Sequence, residues 1–268
     1  MLKFANAKIN IGLHITEKRS DGYHNLETVF YPVKIYDAVE IIPSQEVALQ
    51  IWNSDLIADD NNLCLRAYNL LSSIYDLPPV TIHLLKNIPI GAGLGGGSSD
   101  ATAVLLLLNE QFSLDISTEE LKQLAAKLGA DCPFFVENKA MYAEGIGTDL
   151  EESTLDLSSY QVVLVKPDIH ISTAEAYSQV LPKPSELDLR QAINLPIQEW
   201  KYTIKNDFEF SLFEKYPLIG DIKNKMYELG AIYASMSGSG SSVYGIFETT
   251  DGLEDLKHYG QLFLPTNL

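Results

Sequence analysis

Gly91-Ala-Gly-Leu-Gly-Gly-Gly-Ser-Ser-Asp100 is the stretch on which the reading of this chain turns. Five glycines, two hydroxyl residues and the apolar run Ala101 to Leu108 describe a backbone loop that opens a helix. Without Cβ atoms a loop turns sharply and brings consecutive N–H groups against a ligand. The helix behind it adds N–H donors that lack an intrahelical acceptor, together with the positive end of its dipole. Both favour an anion, and a phosphate chain is the natural one. A P-loop is excluded, because Gly97 rather than lysine precedes Ser98. A dinucleotide fingerprint is formally present as Gly91, Gly93 and Gly96 after a predicted strand, Val80 to Leu85. That fingerprint expects a following strand closed by an acidic residue, whereas the next element reads as a helix. The plain alternative is a glycine-rich surface turn with no ligand.

Read from Pro89 to Ala101, the segment resembles the second motif of the GHMP kinases. Met236-Ser-Gly-Ser-Gly-Ser-Ser-Val243 is similar to that family's glycine-rich third motif, and Ala7-Lys-Ile-Asn10 to its first. The three stand in the family's order and span most of the chain. Arg19-Ser-Asp-Gly-Tyr-His24 and Gly129-Ala-Asp-Cys-Pro-Phe-Phe135 further resemble the branch that acts on a cytidine diphosphate-linked polyol. Two positions depart from the pattern: Asp100 where asparagine is common, and Cys132 where a small aliphatic residue is common. The resemblance implies an α+β, two-domain fold, with an N-terminal half like ribosomal protein S5 domain 2 and a ferredoxin-like C-terminal half. It implies an active site in the cleft between them. We expect the halves at 1–154 and 155–268.

Composition agrees with an enzyme of small molecules. A 46% hydrophobic content supplies ample core, and no apolar stretch approaches the ~20 residues that span a bilayer. The start carries no basic-then-apolar signal region, and Cys64 and Cys132 are too few for a disulfide framework, so the expected location is cytoplasmic. A net charge of −17 argues against nucleic-acid binding, which needs a basic patch. For a protein with polyanionic substrates, attraction must then be local: backbone amides, a helix end, one or two lysines, and Mg²⁺ on the nucleotide. The sequence leaves monomer and homodimer both open.

Alternation puts Ala7, Ile9, Ile11, Leu13 and Ile15 on one strand face, with Lys8, Asn10, Gly12 and His14 on the other. Residues alone read Lys8 as a surface lysine. Strands are expected near Glu27–Pro32, Asp37–Ile42, Val80–Leu85, Gln161–Lys166, Ala231–Met236 and Val243–Phe247. Helices are expected from Asn61 or Asn62 to Leu71, from about Ser99 to Gln111, from Ser117 to Gly129, and from Pro217 to Leu229. Ser117 with Glu120, and Ser172 with Glu175, have the spacing of capping boxes, the second opening a helix that carries Tyr177. Pro182 and Pro184 mark a loop.

Roles follow from the resemblance. Asp131 is the expected general base toward the acceptor hydroxyl; residues alone would make it a helix cap. Lys8 is the expected cation beside the transferring phosphoryl group. Pro89, Ile90, Gly91, Ala92, Gly93, Leu94, Gly95, Gly96, Gly97, Ser98 and Ser99 are expected to hold the phosphates of ATP, with Mg²⁺ screening them. Asp100 reads either as an acid near that ion or as an exposed acid at a helix start. Lys86 reads as a phosphate contact or as a solvated lysine. For the acceptor, Tyr23 and Tyr177 are expected to stack on cytosine and His24 to hydrogen-bond it. Asn10 is expected at the polyol or ribose, and Gly238 and Ser239 close by. Rival readings are another GHMP kinase acting on mevalonate or homoserine, a dinucleotide oxidoreductase, and a noncatalytic nucleotide-binding regulator.

Overall fold

The computed structural model describes residues 1–184 and 188–265. The chain packs as two compact units built from interleaved segments. One takes residues 1–7, 34–90 and 95–139, and the other 8–33, 91–94 and 140 onward. Two long strands, β1 (Leu2–Lys18) and β2 (His24–Pro43), pair with each other and contribute to both. The two strands expected near 27–32 and 37–42 are therefore one. Pro32 falls between the stretch of β2 paired at 28–30 and the stretch paired at 38–43, so neither of those ladders needs its missing N–H.

In the first unit, β3 (Ala48–Trp52) leads to helix α1 (Leu63–Ser72), capped by Asn62, whose side chain accepts from the Cys64 amide at 2.9 Å. β4 (Val80–Leu85) pairs antiparallel with residues 38–43 of β2 and parallel with β3. It delivers the glycine segment, and α2 (Gly96–Gln111) follows. This helix starts three residues before the expected Ser99. Gly95 adopts φ +69°, a left-handed turn that only glycine takes cheaply, so the glycines themselves form its first turn. As the nearly all-apolar sequence requires, α2 is buried on most sides, with Val104, Leu105 and Leu108 fully enclosed. It packs against α1 and against α3 (Thr118–Ala126), whose Ser117 cap accepts from the Glu120 amide. α3 ends three residues before Gly129, because Lys127 and Leu128 donate back to Leu124 and Ala125 in tighter, three-residue turns. A turn through Asp131 leads into the short α4 (Phe134–Glu137).

In the second unit, β5 (Met141–Glu144) pairs antiparallel with residues 28–30 of β2 and with β6 (Asp149–Glu152). β7 (Gln161–Lys166) is followed by α5 (Thr173–Ser178), where the Ser172 hydroxyl accepts from the Glu175 amide at 3.1 Å. Next come α6 (Leu189–Ala192), α7 (Trp200–Thr203), α8 (Glu209–Lys215) and α9 (Pro217–Glu228). Pro217 opens α9, and Gly230 at φ +95° closes it. The Gly230 amide bonds the Tyr227 carbonyl and the Ala231 amide the Met226 carbonyl, the paired bonds of a Schellman cap. That cap occupies Ala231, so β8 begins later, as Tyr233–Met236. With β9 (Val243–Phe247) and β10 (Gln261–Phe263) it completes an antiparallel sheet ordered β10-β7-β9-β8. α9 lies on β8 and β9, burying Ile219, Ile222 and Met226.

Candidate active site

The polar face of β1 is not solvated. Lys8 is 4% exposed and Asn10 3%, which overturns the reading of Lys8 as a surface lysine. The cause is what lies against the strand. The Lys8 amide donates to the Leu94 carbonyl at 2.9 Å, so residues 91–94 run beside β1. The Lys8 ammonium donates to Asn10 Oδ1 at 2.6 Å and sits 4.9 Å from the Phe30 ring centre. Asn10 Nδ2 donates to Thr28 Oγ1 at 3.0 Å, and Thr28 donates onward to the Gly12 carbonyl. A buried ammonium is expensive unless acceptors face it; Asn10 on the same strand supplies one, and the Gly93 carbonyl at 3.4 Å another.

The turn between β8 and β9 meets the same segment. Ser237 Oγ donates to the Gly93 carbonyl at 2.9 Å and accepts from the Asn10 amide at 3.3 Å. The approach is close enough to explain two glycines without a ligand. A Cβ on Gly93, at φ +78°, would fall 1.9 Å from the Ser237 carbonyl oxygen, and one on Gly240 would fall 2.2 Å from the Gly93 amide. Gly238, at φ +58°, lies against Asn10 Oδ1, and Ser239 beside it is half-buried. Asn206 Nδ2 ties the turn down by donating to the Met236 and Gly238 carbonyls.

Downstream of Gly95 the backbone is open. Gly95 gives α2 no side-chain cap, so the first-turn amides of Gly96, Gly97 and Ser98 have no intrahelical acceptor. Gly97 is exposed, and a Cβ there would meet nothing nearer than Leu63 at 3.7 Å. In the same unit stands the turn bearing Asp131. Thr102 Oγ1 bonds both the Ser98 carbonyl at 2.9 Å and the Cys132 carbonyl at 3.0 Å, fastening that turn to the start of α2. Asp131 is half-buried and is not the cap of α4, which is Pro133 with no side-chain bond. Burial pushes the neighbouring Cys132 thiol up to about 11, so it stays protonated.

Asp100 and Lys86 depart from what the sequence suggested. Asp100 is 2% exposed rather than solvated at a helix start, and Lys86 is 4% exposed. The Lys86 ammonium is held by Asp37 and, at 2.7 Å, by Asp100.

The Arg19–His24 turn is built from its own residues. The Tyr23 amide donates to Asp21 Oδ1 at 3.0 Å, Arg19 forks onto the same carboxylate, and Gly22 takes φ +90°. This leaves the Tyr23 side chain 63% exposed. His24 stacks on Tyr177, with ring centroids 4.9 Å apart at 29°, and Tyr177 meets the buried Phe208 edge-on. Burial, and then the nearby Lys18, hold the His24 imidazole below its ordinary pKa and keep it neutral. Sequence reasoning passed over Thr102, Asn206 and Ser237. Thr102 was legible as the residue one turn after Ser98, and Ser237 as the hydroxyl before the Gly-Ser-Gly turn; Asn206 carried no signal.

Comparison with known proteins places the whole chain in a family. The family described as GHMP kinases N terminal domain matches residues 62–139, and GHMP kinases C terminal matches residues 190–263. A 4-diphosphocytidyl-2-C-methyl-D-erythritol kinase of Bacteroides thetaiotaomicron is 51% identical over 253 residues, 92% of each chain. One from Cytophaga hutchinsonii is 46% identical over 93% of each. The crystal structure of a 4-(cytidine 5'-diphospho)-2C-methyl-D-erythritol kinase superposes with a TM-score of 0.85 at 32% identity, covering 98% of both chains. A mevalonate kinase structure shares the fold alone, with a TM-score of 0.72 at 14% identity. Matched by both family models and, to relatives about half identical, along nearly its whole length, the chain belongs to the GHMP kinases.

Proposed function

We propose that this chain is the ATP-dependent kinase that phosphorylates the 2-hydroxyl of 4-diphosphocytidyl-2-C-methyl-D-erythritol, a step of non-mevalonate isoprenoid precursor synthesis. The observation that carries the reading is about 50% identity, over the full length, to relatives named for that activity. In this reading Asp131 accepts the hydroxyl proton, and Lys8 stabilises charge on the transferring phosphoryl oxygens. Such a reaction needs chiefly positioning and electrostatic stabilisation. The amides at the start of α2 and the loop 89–99 hold the phosphates. Mg²⁺ enters on the nucleotide; among the described residues no group of three or more His, Cys, Asp or Glu stands together to hold a metal. On the acceptor side, His24 is neutral and ring-stacked, suited to read the polar edge of cytosine; Tyr177, expected on the base itself, stacks on the His24 ring instead, and the exposed Tyr23 is left to stack on the base. Asn10, Gly238 and Ser239 complete the acceptor pocket in this reading. We also infer that residues 1–154 and 155–268 are the family's two halves, since the matched segments fall on either side of that boundary.

The test is ADP release in the presence of Mg²⁺ with three acceptors: the cytidylyl polyol, mevalonate and homoserine. Turnover with the first alone supports the reading; preference for either of the others removes it. Lys8→Ala and Asp131→Ala are each expected to abolish turnover while ATP still binds, and near-normal kcat in either variant takes that residue out of the mechanism.

A further inference from the structure

The chain leaves the first unit after Ile90 and rejoins it at Gly95, so residues 91–94 hang from two flanks. Both flanks are tied to one buried cluster. Asp37, from β2 and wholly buried, accepts on Oδ1 from the Asn87 and Ile88 amides and on Oδ2 from the Lys86 ammonium. The same ammonium reaches Asp100 Oδ2, on the second turn of α2, at 2.7 Å. It also lies just under the helix start, 3.4 Å from where a Cβ on Gly96 would be.

The charges do not balance. One ammonium faces two carboxylates, and a net negative charge in so dry a place is costly. Asp37 has hydrogen-bond donors on both oxygens. Asp100 has the ammonium on one oxygen, while Oδ1 is buried and has no hydrogen-bond partner among the described residues. We propose that Asp37, Lys86 and Asp100 form a staple beneath the glycine loop that carries one proton, with Asp100 a neutral carboxylic acid and a positioning residue for ATP. The positioning role rests on loop 89–99 being the ATP site. The titratable groups facing Asp100 are Asp37 from β2, Lys86 from the end of β4 and Cys64 from α1, whose thiol is itself pushed up by burial. Burial raises the Asp100 carboxyl to about 8, with Lys86 pulling down and Asp37 pushing up.

Because this value lies above the ordinary 3.8, the native state keeps a proton that the unfolded chain releases. The resulting stability is full below the ordinary value and is lost as pH rises through about 8. Asp100→Asn, isosteric and neutral, removes that dependence. Melting temperatures of both proteins between pH 5 and 9 are expected to show the variant gaining on the wild type as pH rises to about 8, then holding a constant lead. An ionised salt-bridge partner predicts otherwise: a variant less stable than the wild type by an amount that stays constant between pH 5 and 9. That result overturns the proton. In the wild type KM for ATP is expected to climb by up to about tenfold between pH 7 and 9, one proton being linked to binding, and to stay flat in Asp100→Asn. Should Asp100→Asn not fold, Lys86→Met serves instead. Without the ammonium the carboxyl titrates higher, so the alkaline rise in KM moves upward, and an unmoved rise overturns the proposal. The melting arm needs no ATP. The expected melting shift together with an ATP KM indifferent both to pH and to Gly97→Ala would strike the ATP-loop reading and the positioning role with it; no melting shift strikes the staple itself.

Discussion

Glycines in one loop have two separable jobs. Gly93 and Gly240 are needed by the fold, since any side chain there would drive two backbones apart. Gly93→Ala or Gly240→Ala is expected to cost on the order of 3 kcal/mol of stability, from overpacking and, at Gly93, a left-handed φ. Gly97 is different: it is exposed, helical, and has room for a methyl group. Gly97→Ala is therefore expected to leave chemical denaturation unchanged or slightly improved, while raising KM for ATP about tenfold or more where a phosphate must touch the backbone. Unchanged ATP affinity in that variant would show that the glycine serves nothing but the turn. His24 supplies a pH test at the same scale. Burial holds its imidazole pKa below the ordinary 6.5, so the rise in KM for the cytidylyl substrate at acid pH should be centred below that value. A rise centred at or above that value would remove His24 as a neutral reader of the base.

Elements were legible where periodicity or caps dictate them, and not where burial depends on partners distant in sequence. α2 is the clear case: an apolar run too uniform to be amphipathic had to be buried, and Leu105 and Leu108 are completely enclosed. Leu105→Ala is expected to lower unfolding free energy by about 2–5 kcal/mol, through lost transfer energy and the cavity left behind, with kinetic constants intact well below the melting point. A change in kcat without a change in stability would mean that α2 transmits more than support. The start of α2 was read three residues late because helix propensity counts glycine against a helix, whereas here Gly95 supplies the left-handed turn that lets Gly96 begin one. β1 shows the other limit. Its alternation was plain, yet the same pattern describes a solvated edge, and only the arrival of residues 91–94 and 237 buries Lys8 and Asn10. α8 carries Glu209, which is buried because the Ser235 hydroxyl and the Met236 amide donate to it and Lys223 pairs with it; such a partnership leaves no mark in local sequence.

At the scale of the whole molecule, a net charge of −17 confronts two anionic substrates. The field of such a protein repels them at long range, so on the proposed reading the attraction comes from the α2 amides and from Lys8 and acts only at short range. Ionic strength separates these regimes. The screening length falls from about 30 Å at 0.01 M salt to about 8 Å at 0.15 M, which cancels distant repulsion but leaves direct contacts in a partly buried site largely intact. Added KCl, with Mg²⁺ saturating, should therefore raise kcat/KM for both substrates over that range by a few-fold, while kcat stays level. The steep fall with salt that accompanies phosphate contacts made by surface lysines and arginines has the opposite sign. A falling slope here would mean that exposed cations, rather than helix amides and one buried lysine, gather the phosphates, and the charge economy proposed for the glycine loop would be wrong.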